Sequence, residues 1–301
     1  MNSDTAAAFF EFIFNRQLVW YRRNVLQQPA PWSDDKILQT FKFCNVYREL
    51  DAGTQAICLY ITKPDYSAEQ KIFNIIAYRF FNRRDTIENL FGGMLDPQHF
   101  DFKKLEKRFD EKKREGNIFS NAYLITAHAV CDYRPHDKHI QILQMLDNLR
   151  PQLTAIRQKL QTSSPQQGLK IIEENVPLAG PFLAGQILLD ITYAGDIVNY
   201  SSNDFLIVGP GAHWGLNIIW ERKLSKKEAD EACRFLHHKQ PQAFENLKKA
   251  TGKDWRTICW NNPSYPNFPY LSLHDVQNSL CEFRKYWRLK NNESAKKRYY
   301  K

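Results

Sequence analysis

Val176-Pro177-Leu178-Ala179-Gly180-Pro181-Phe182-Leu183-Ala184-Gly185 joins two predicted helices, residues 169–174 and 181–193, through a turn of small residues. The turn leads straight into Pro181, and proline is favoured at the first position of a helix. Backbone N–H groups exposed in such a turn, beside the positive end of a helix dipole, can hold a phosphate without reading sequence. An ordinary tight connection between helices fits the same spacing, so both interpretations stay open.

The composition of the 301-residue chain is that of a folded, helical protein. With 43% hydrophobic and 25% charged residues it is not a disordered chain, and it shows neither a collagen period nor a coiled-coil period. Only 12 residues are glycine, which argues against a many-stranded sandwich. The predicted fold class is therefore all-α, and the length predicts one functional unit, 1–301, built from two lobes.

The charge balance favours a polyanionic partner. The chain has 42 Lys and Arg against 33 Asp and Glu, a net charge of +9, which makes DNA the leading candidate. No apolar run approaches the roughly 18 residues that a membrane span needs, and the first residues lack the charged region of a signal peptide. We therefore expect a cytoplasmic, monomeric protein that binds DNA and no membrane.

The cysteines do not indicate a metal site. The sequence has six of them, and it contains neither a Cys-x-x-Cys motif nor a close cluster of cysteine and histidine. We therefore expect reduced, mostly buried thiols, no metal and no cofactor.

Periodic apolar residues and capping residues predict further helices. Residues 6–26 form one amphipathic segment, and Ser33 precedes an acidic first turn that predicts a helix through about residue 50. The clearest helix spans residues 67–81, because Ser67 and Gln70 fit a capping box ahead of an apolar stripe. Residues 122–130 and 140–149 are typical of buried helices.

The turn and the helix after it resemble the helix-hairpin-helix of the DNA glycosylase superfamily, whose usual form is Leu-Pro-Gly-Val-Gly followed by a small-residue helix. The resemblance implies an all-α, two-lobed fold with DNA in the cleft between the lobes. It predicts lobes 40–198, with the helix-hairpin-helix at 169–193, and 1–39 plus 199–301. It also implies that Pro177, Leu178, Ala179 and Gly180 bind phosphate.

The same resemblance implies a catalytic aspartate in the loop after the second helix. Asp204 is the matching position, and Asp196 is the weaker competitor. In this superfamily such a carboxylate stabilises the positive charge that develops on the sugar and orients the attacking water. A single aspartate in a polar loop is also the usual cap of a turn, and that interpretation stays open.

Phe182 departs from the superfamily pattern. Bifunctional glycosylases carry a lysine at this position, and without its amine no Schiff base can form there. The resemblance therefore implies a monofunctional enzyme that leaves an abasic site.

Four separated segments carry a second resemblance, to the α-glutamyl/putrescinyl thymine pyrophosphorylase family, which includes the helical domain associated with 5-hydroxymethyluracil DNA kinases. The similarity spans roughly residues 9–290 and implies hypermodified pyrimidines in phage DNA as the substrate class. The segments are Phe43-Cys44-Asn45-Val46-Tyr47-Arg48-Glu49-Leu50-Asp51, Arg79-Phe80-Phe81-Asn82-Arg83, Gly209-Pro210-Gly211-Ala212 and Asp275-Val276-Gln277-Asn278-Ser279-Leu280-Cys281-Glu282-Phe283.

The first segment supplies the candidate base pocket. Asn45, Tyr47, Arg48 and Asp51 fall within two turns of a predicted helix and offer the stacking and polar groups that a flipped base needs. A structural network in which Arg48 pairs with Asp51 or Glu49 is the alternative. The turn around Gly209 and Gly211, with His213 just after it, is a second candidate for phosphate binding, or merely a tight turn.

Together these features predict a DNA N-glycosylase that excises α-glucosylated 5-hydroxymethylcytosine from phage DNA as an antiviral defence. Two alternatives remain. One is a base-hypermodification enzyme that substitutes pyrophosphate on 5-pyrophosphomethyl-pyrimidine DNA. The other is a non-enzymatic DNA-binding module, whose binding would be strongly salt-dependent.

Overall fold

The computed structural model describes residues 1–120, 130–262 and 268–300, and this part of the chain is helical. Within it, extended pairing is confined to one isolated antiparallel bridge between Phe41 and Tyr299. The all-α prediction is confirmed. The contacts divide the chain into two compact units, residues 52–205 and residues 1–51 with 206–301.

The unit formed by residues 52–205 is built around one capped helix. This helix, α4 in chain order, begins after Ser67, whose hydroxyl accepts the Gln70 N–H while the Gln70 side chain accepts the Ser67 N–H, so the predicted capping box is confirmed. Nearly every residue of α4 is buried, and Arg79 forms a buried ion pair with Asp190. The helices are α3 (Ala52–Ile61), α4 (Ala68–Phe81), α5 (Phe102–Glu115), α6 (Lys138–Leu149), α7 (Leu153–Gln161), α8 (Pro165–Asn175) and α9 (Pro181–Ala194), with a π-helical turn at Thr86–Phe91 and 3-10 turns at Pro97–His99 and Arg150–Gln152.

The other unit depends on a close approach of two helices. A Cβ atom at Gly215 would lie 2.4 Å from the Leu280 carbonyl oxygen, and one at Gly211 would lie 2.3 Å from Cys281 Sγ. The glycines therefore let these helices, α10 and α12, pack backbone against backbone. The helices of this unit are α1 (Ser3–Trp20), α2 (Lys36–Thr40), α10 (Pro210–Trp220), α11 (Lys226–Thr251) and α12 (Leu273–Lys290), with a π-helical turn at Tyr21–Val25 and 3-10 turns at Arg48–Leu50 and Trp255–Thr257.

The helix predicted from Ser33 to about residue 50 is wrong in its cap and its length. Asp35 is the N-cap, because its carboxylate accepts the N–H groups of Ile37 at 2.7 Å and Leu38 at 3.1 Å. The helix ends at Thr40, and apart from one 3-10 turn the chain to residue 51 is irregular. The helix predicted over residues 122–130 lies outside the described residues except for Val130.

The division between the units falls after residues 51 and 205. The sequence had predicted it after residues 39 and 198. Residues 43–51 belong with α12 because two of its carboxylates accept their backbone N–H groups. Glu282 Oε2 accepts from Cys44 at 3.1 Å, and Asp275 Oδ1 accepts from Arg48 at 2.8 Å. None of the helices in the described ranges combines the length and apolar character that crossing a membrane requires.

Candidate functional site

Three of the four family segments meet in one place. Residues 43–51 contact α12 through the two carboxylates just described, and the Asn278 amide donates to the Asn45 carbonyl at 3.3 Å. The third segment is the start of α10, which packs on α12 through Gly211. We call the polar side chains at this meeting point the motif cluster: Asn45, Arg48, Glu49, Asp51, Asp275 and Glu282.

Asn45 and Asp51, two of the predicted base-reading residues, hold the shape of their own loop. The Asn45 amide accepts from Arg16 Nη2 and donates to the Leu50 carbonyl, both at 2.7 Å, while Asp51 Oδ1 accepts the Asn45 N–H at 2.9 Å. Burial raises the pKa of Asp51 to about 6, against the lowering effect of the hydrogen bond from the Asn45 backbone. The predicted helix is therefore replaced by a loop braced through side chains.

Tyr47 and Arg48 are buried rather than open to a ligand. The Tyr47 ring is fully enclosed, with the Trp260 ring edge-on at 5.6 Å and the Trp255 ring roughly parallel at 6.1 Å. Burial raises the pKa of Tyr47 well above its ordinary value, so the hydroxyl stays protonated. Arg48 is 8% exposed. The four predicted residues thus lie together and are held by contacts within the protein, among them the hydrogen bond from the Arg48 N–H to Asp275.

Two carboxyl groups that the sequence analysis did not select lie beside them. Asp275 is completely buried, and its oxygens accept the N–H groups of Arg48 at 2.8 Å and Ser272 at 3.0 Å. Burial, followed by the neighbouring negative charge of Glu49, raises the pKa of Asp275 well above its usual range. In the sequence, Asp275 begins the fourth family segment and is the third residue of a capping box, and neither pattern indicates a buried carboxyl group beside Arg48.

Glu49 has a buried carboxylate oxygen that lacks a hydrogen-bond donor in the described part of the chain. Its Oε1 accepts from Asn262 Nδ2 at 2.9 Å, whereas its Oε2 is buried and has no hydrogen-bond partner among the described residues. A buried acceptor without a donor is costly, so such an atom is a candidate contact for a ligand donor.

The turn before α9 has the form expected of a helical hairpin. Helices α8 and α9 pack on each other, and the Ala179 N–H donates to the Val176 carbonyl at 3.1 Å. Leu178 has a φ of +69°, a conformation that favours glycine, at the place where the usual motif carries its middle glycine. Pro177 and Gly180 are exposed, and no side chain caps the N terminus of α9.

Helix α10 begins in the same way. Gly209 is its N-cap, Pro210 occupies its first position, and no side chain caps it. His213, the third predicted phosphate contact of this turn, donates from Nε2 to the Leu224 carbonyl at 2.8 Å and so has a structural partner. Gly211 is explained by its packing on Cys281.

Asp204 lies exposed in its loop and closes a turn. Its Oδ2 accepts from the Ser201 N–H at 2.7 Å and from the Ser201 hydroxyl at 2.9 Å. These contacts are those of the turn cap that the sequence left open as the alternative. Asp196 instead pairs with the buried Lys71 at 2.6 Å.

In the part of the chain that the structure describes, these features define a helical protein with a buried carboxyl cluster and two helices whose N termini no side chain caps. Residues 3–296 match the family described as "5-hmdU DNA kinase, helical domain", and the chain belongs to this family. It is 25% identical over 234 residues to the protein named "5-hmdU DNA kinase" of Bacillus phage SP10. That match covers 71% of this chain and 36% of the phage protein, so the chain spans about a third of its relative. No solved structure matches the chain.

The comparisons overturn the predicted activity. The prediction of a hydrolytic N-glycosylase is wrong, because both the family and the phage relative are described as kinases, which are transferases. Base excision and the defence role that depended on it are therefore wrong as well. The alternative, a base-hypermodification enzyme that acts on pyrimidines in DNA, agrees better with these relatives.

Proposed function

We propose that this chain binds DNA and holds a 5-hydroxymethylated pyrimidine for group transfer to its hydroxymethyl oxygen. The main support for this proposal is that residues 3–296 match the family described as "5-hmdU DNA kinase, helical domain". The net charge of +9 supports a DNA partner.

The motif cluster is the proposed base site. Phosphorylation of a hydroxymethyl group joins its oxygen to the γ-phosphorus of a nucleoside triphosphate. The bond from that phosphorus to its bridging oxygen breaks, the nucleoside diphosphate leaves, and the hydroxyl proton passes to an acceptor. Glu49 Oε2 is buried and without a donor in the described structure, so it is suited to accept a hydrogen bond from the base or from its hydroxymethyl group. Burial and the negative charge of Glu49 raise the pKa of Asp275, the carboxyl group beside it, well above its usual range.

Asn45, Tyr47, Arg48 and Asp51 have a positioning role in this proposal. They fix the loop that carries Glu49, through the contacts of Asn45 with Arg16 and of Arg48 with Asp275. Their substitution would therefore disturb the base site through Glu49 rather than by removing a direct contact.

The two uncapped helix starts are the proposed phosphate contacts. The turn of Pro177, Leu178, Ala179 and Gly180 precedes α9, and Gly209 with Gly211 begins α10. Backbone N–H groups at such starts bind phosphate through the helix dipole without reading sequence, which suits a protein that selects a base modification.

The test compares DNA duplexes that are identical except for one 5-hydroxymethyluracil in place of thymine. We expect the purified chain to bind the modified duplex more tightly in fluorescence anisotropy. Glu49→Gln keeps the acceptor that faces Asn262 and should lower this preference about tenfold, the loss typical of a hydrogen bond to a charged group. Glu111→Gln, at an exposed position on α5, is the matched control and should keep the preference.

Mass analysis of digested DNA supplies a second readout. After incubation with ATP, Mg²⁺ and the 5-hmdU DNA kinase of Bacillus phage SP10, we expect a phosphorylated 5-hydroxymethyl nucleoside to accumulate faster when the chain is present. Equal binding of modified and unmodified duplexes by the wild-type chain, or release of free base, would contradict the proposal.

A further inference from the structure

Residues 297–300 pair in an antiparallel direction with residues 41–42, which lie between α2 and the motif cluster. The Lys42 N–H donates to the Arg298 carbonyl at 2.8 Å, and Phe41 and Tyr299 form the isolated bridge. Because the pairing is extended, alternate side chains lie on the same side. Lys297 and Tyr299 therefore share the side of Phe41, whose ring lies 5.5 Å from Lys297 Nζ and 5.4 Å from the Tyr299 ring.

A second group of rings and cations lies beside this pairing. The Arg23 guanidinium lies 4.9 Å from the centre of the Trp32 ring and 5.9 Å from that of Tyr300. The Trp32 and Tyr300 rings meet edge to face at 5.4 Å, and Arg22 donates to the Trp32 carbonyl at 3.3 Å. We call the whole set the tail surface: Arg22, Arg23, Trp32, Phe41, Lys42, Lys297, Arg298, Tyr299 and Tyr300.

The cations of the tail surface are not neutralised by the protein. None of the five, which are Arg22, Arg23, Lys42, Lys297 and Arg298, forms an ion pair with a carboxylate among the described residues. Glu293 pairs with Arg288 at 3.2 Å instead. Cations that no carboxylate pairs raise the local potential and attract a polyanion.

We propose that the tail surface binds single-stranded DNA, with phosphates on its cations and an unpaired base stacked on Tyr299. Tyr299 is 61% exposed although its ring is already held against Phe41, so the surface presents an aromatic face at little cost in side-chain entropy. Cations interleaved with exposed rings are the arrangement that binds unpaired strands, because bases in a duplex have no free faces to stack. The inference rests on DNA being the substrate, as proposed above, and adds a strand preference.

The experiment measures the dissociation constants of the full chain for a labelled oligothymidine and for the corresponding duplex. Tyr299→Ala should weaken binding of the single strand about tenfold, the usual loss of one stacked base, and leave duplex binding nearly unchanged. Tyr299→Phe keeps the ring and should retain wild-type affinity. Equal effects of Tyr299→Ala on both DNAs, or none, would overturn the proposal.

The salt dependence tests the cations separately. Lys297→Ala should lower the slope of log Kd against log salt for the single strand by about 0.7, the contribution of one lost phosphate contact, because Lys297 lies on the same side as Tyr299. Lys226→Ala, an exposed lysine at the start of α11, is the control and should leave the slope unchanged. An unchanged slope in Lys297→Ala would overturn the proposed phosphate contact.

The same variants separate this inference from the proposed function. If Tyr299→Ala binds single strands like the wild type while the wild type still prefers 5-hydroxymethyluracil, only the tail-surface proposal fails. If the wild type shows no preference for the modified base but Tyr299→Ala selectively loses single-strand binding, only the proposed base recognition fails.

Discussion

Replacement of Gly215 by alanine is expected to destabilise the unit that carries the motif cluster. The new Cβ would lie 2.4 Å from the Leu280 carbonyl oxygen and 3.0 Å from its carbonyl carbon, and both are backbone atoms that cannot rotate away. Helices α10 and α12 must then separate by about 1 Å to restore ordinary contact. Overpacking of this kind costs about 1–3 kcal/mol, against about 1 kcal/mol gained in helix propensity from glycine to alanine. Because the clash is with backbone atoms, we expect a cost in the upper part of this range, about 2–3 kcal/mol, and therefore a net loss of about 1–2 kcal/mol.

Calorimetric unfolding gives the first measurement of this loss, which should lower Tm by a few degrees. Hydrogen exchange gives the second: the N–H groups of Cys44 and Arg48, which α12 carboxylates hold, should exchange faster. Gly211→Ala should cost less, because its nearest atom is the Cys281 sulfur, which can rotate. Gly116→Ala, with nothing within 4 Å of the added Cβ, is the control. A Gly215→Ala variant as stable as the wild type would refute the packing argument.

Two further predictions concern buried charges. Burial raises the pKa of Asp51 to about 6, so this carboxyl group favours the folded state most below its ordinary pKa near 4, and that contribution is lost as the pH rises through about 6. Asp51→Asn should therefore flatten the fall in stability between pH 4 and pH 6 in urea titrations, whereas an unchanged pH profile would contradict the assignment. Arg79→Met should destabilise the protein by about 3–5 kcal/mol because Asp190 would be left buried and charged, and the double variant with Asp190→Leu should regain most of this loss in the same urea assay. A double variant no more stable than the single one would show that the ion pair is not the cause.

The sequence predicted the elements that local chemistry specifies. The capping box at Ser67, the hairpin of two helices around residues 175–180 and the all-α class follow from residues close together in the chain. Local patterns also misled where side chains compete with the helix for backbone groups. The acidic first turn after Ser33 predicted a helix through about residue 50, but the Asn45 and Asp51 side chains form hydrogen bonds with the backbone of their own loop instead.

The sequence predicted which residues of segment 43–51 lie together in the candidate site, but it did not predict what their side chains contact. The sequence selected Asn45, Tyr47, Arg48 and Asp51, and the structure brings them together as supports of a loop. Glu49, with its unpaired buried oxygen, became visible only through its burial. The family resemblance placed the chain among proteins of modified DNA, but the choice of base excision as the reaction was wrong.

The sequence by itself determined the helical class, the capping box at Ser67 and the positive charge, because each depends on composition or on neighbours within a few residues. Only the tertiary structure decided that Asp275 meets Arg48 across 227 positions, that Gly211 and Gly215 are packing residues and that residues 297–300 join the aromatic and basic groups of 22–42. Burial, charge pairing and close helix contact are properties of atoms brought together by folding, and their effects on a carboxyl group or a glycine depend on partners that the local sequence does not name.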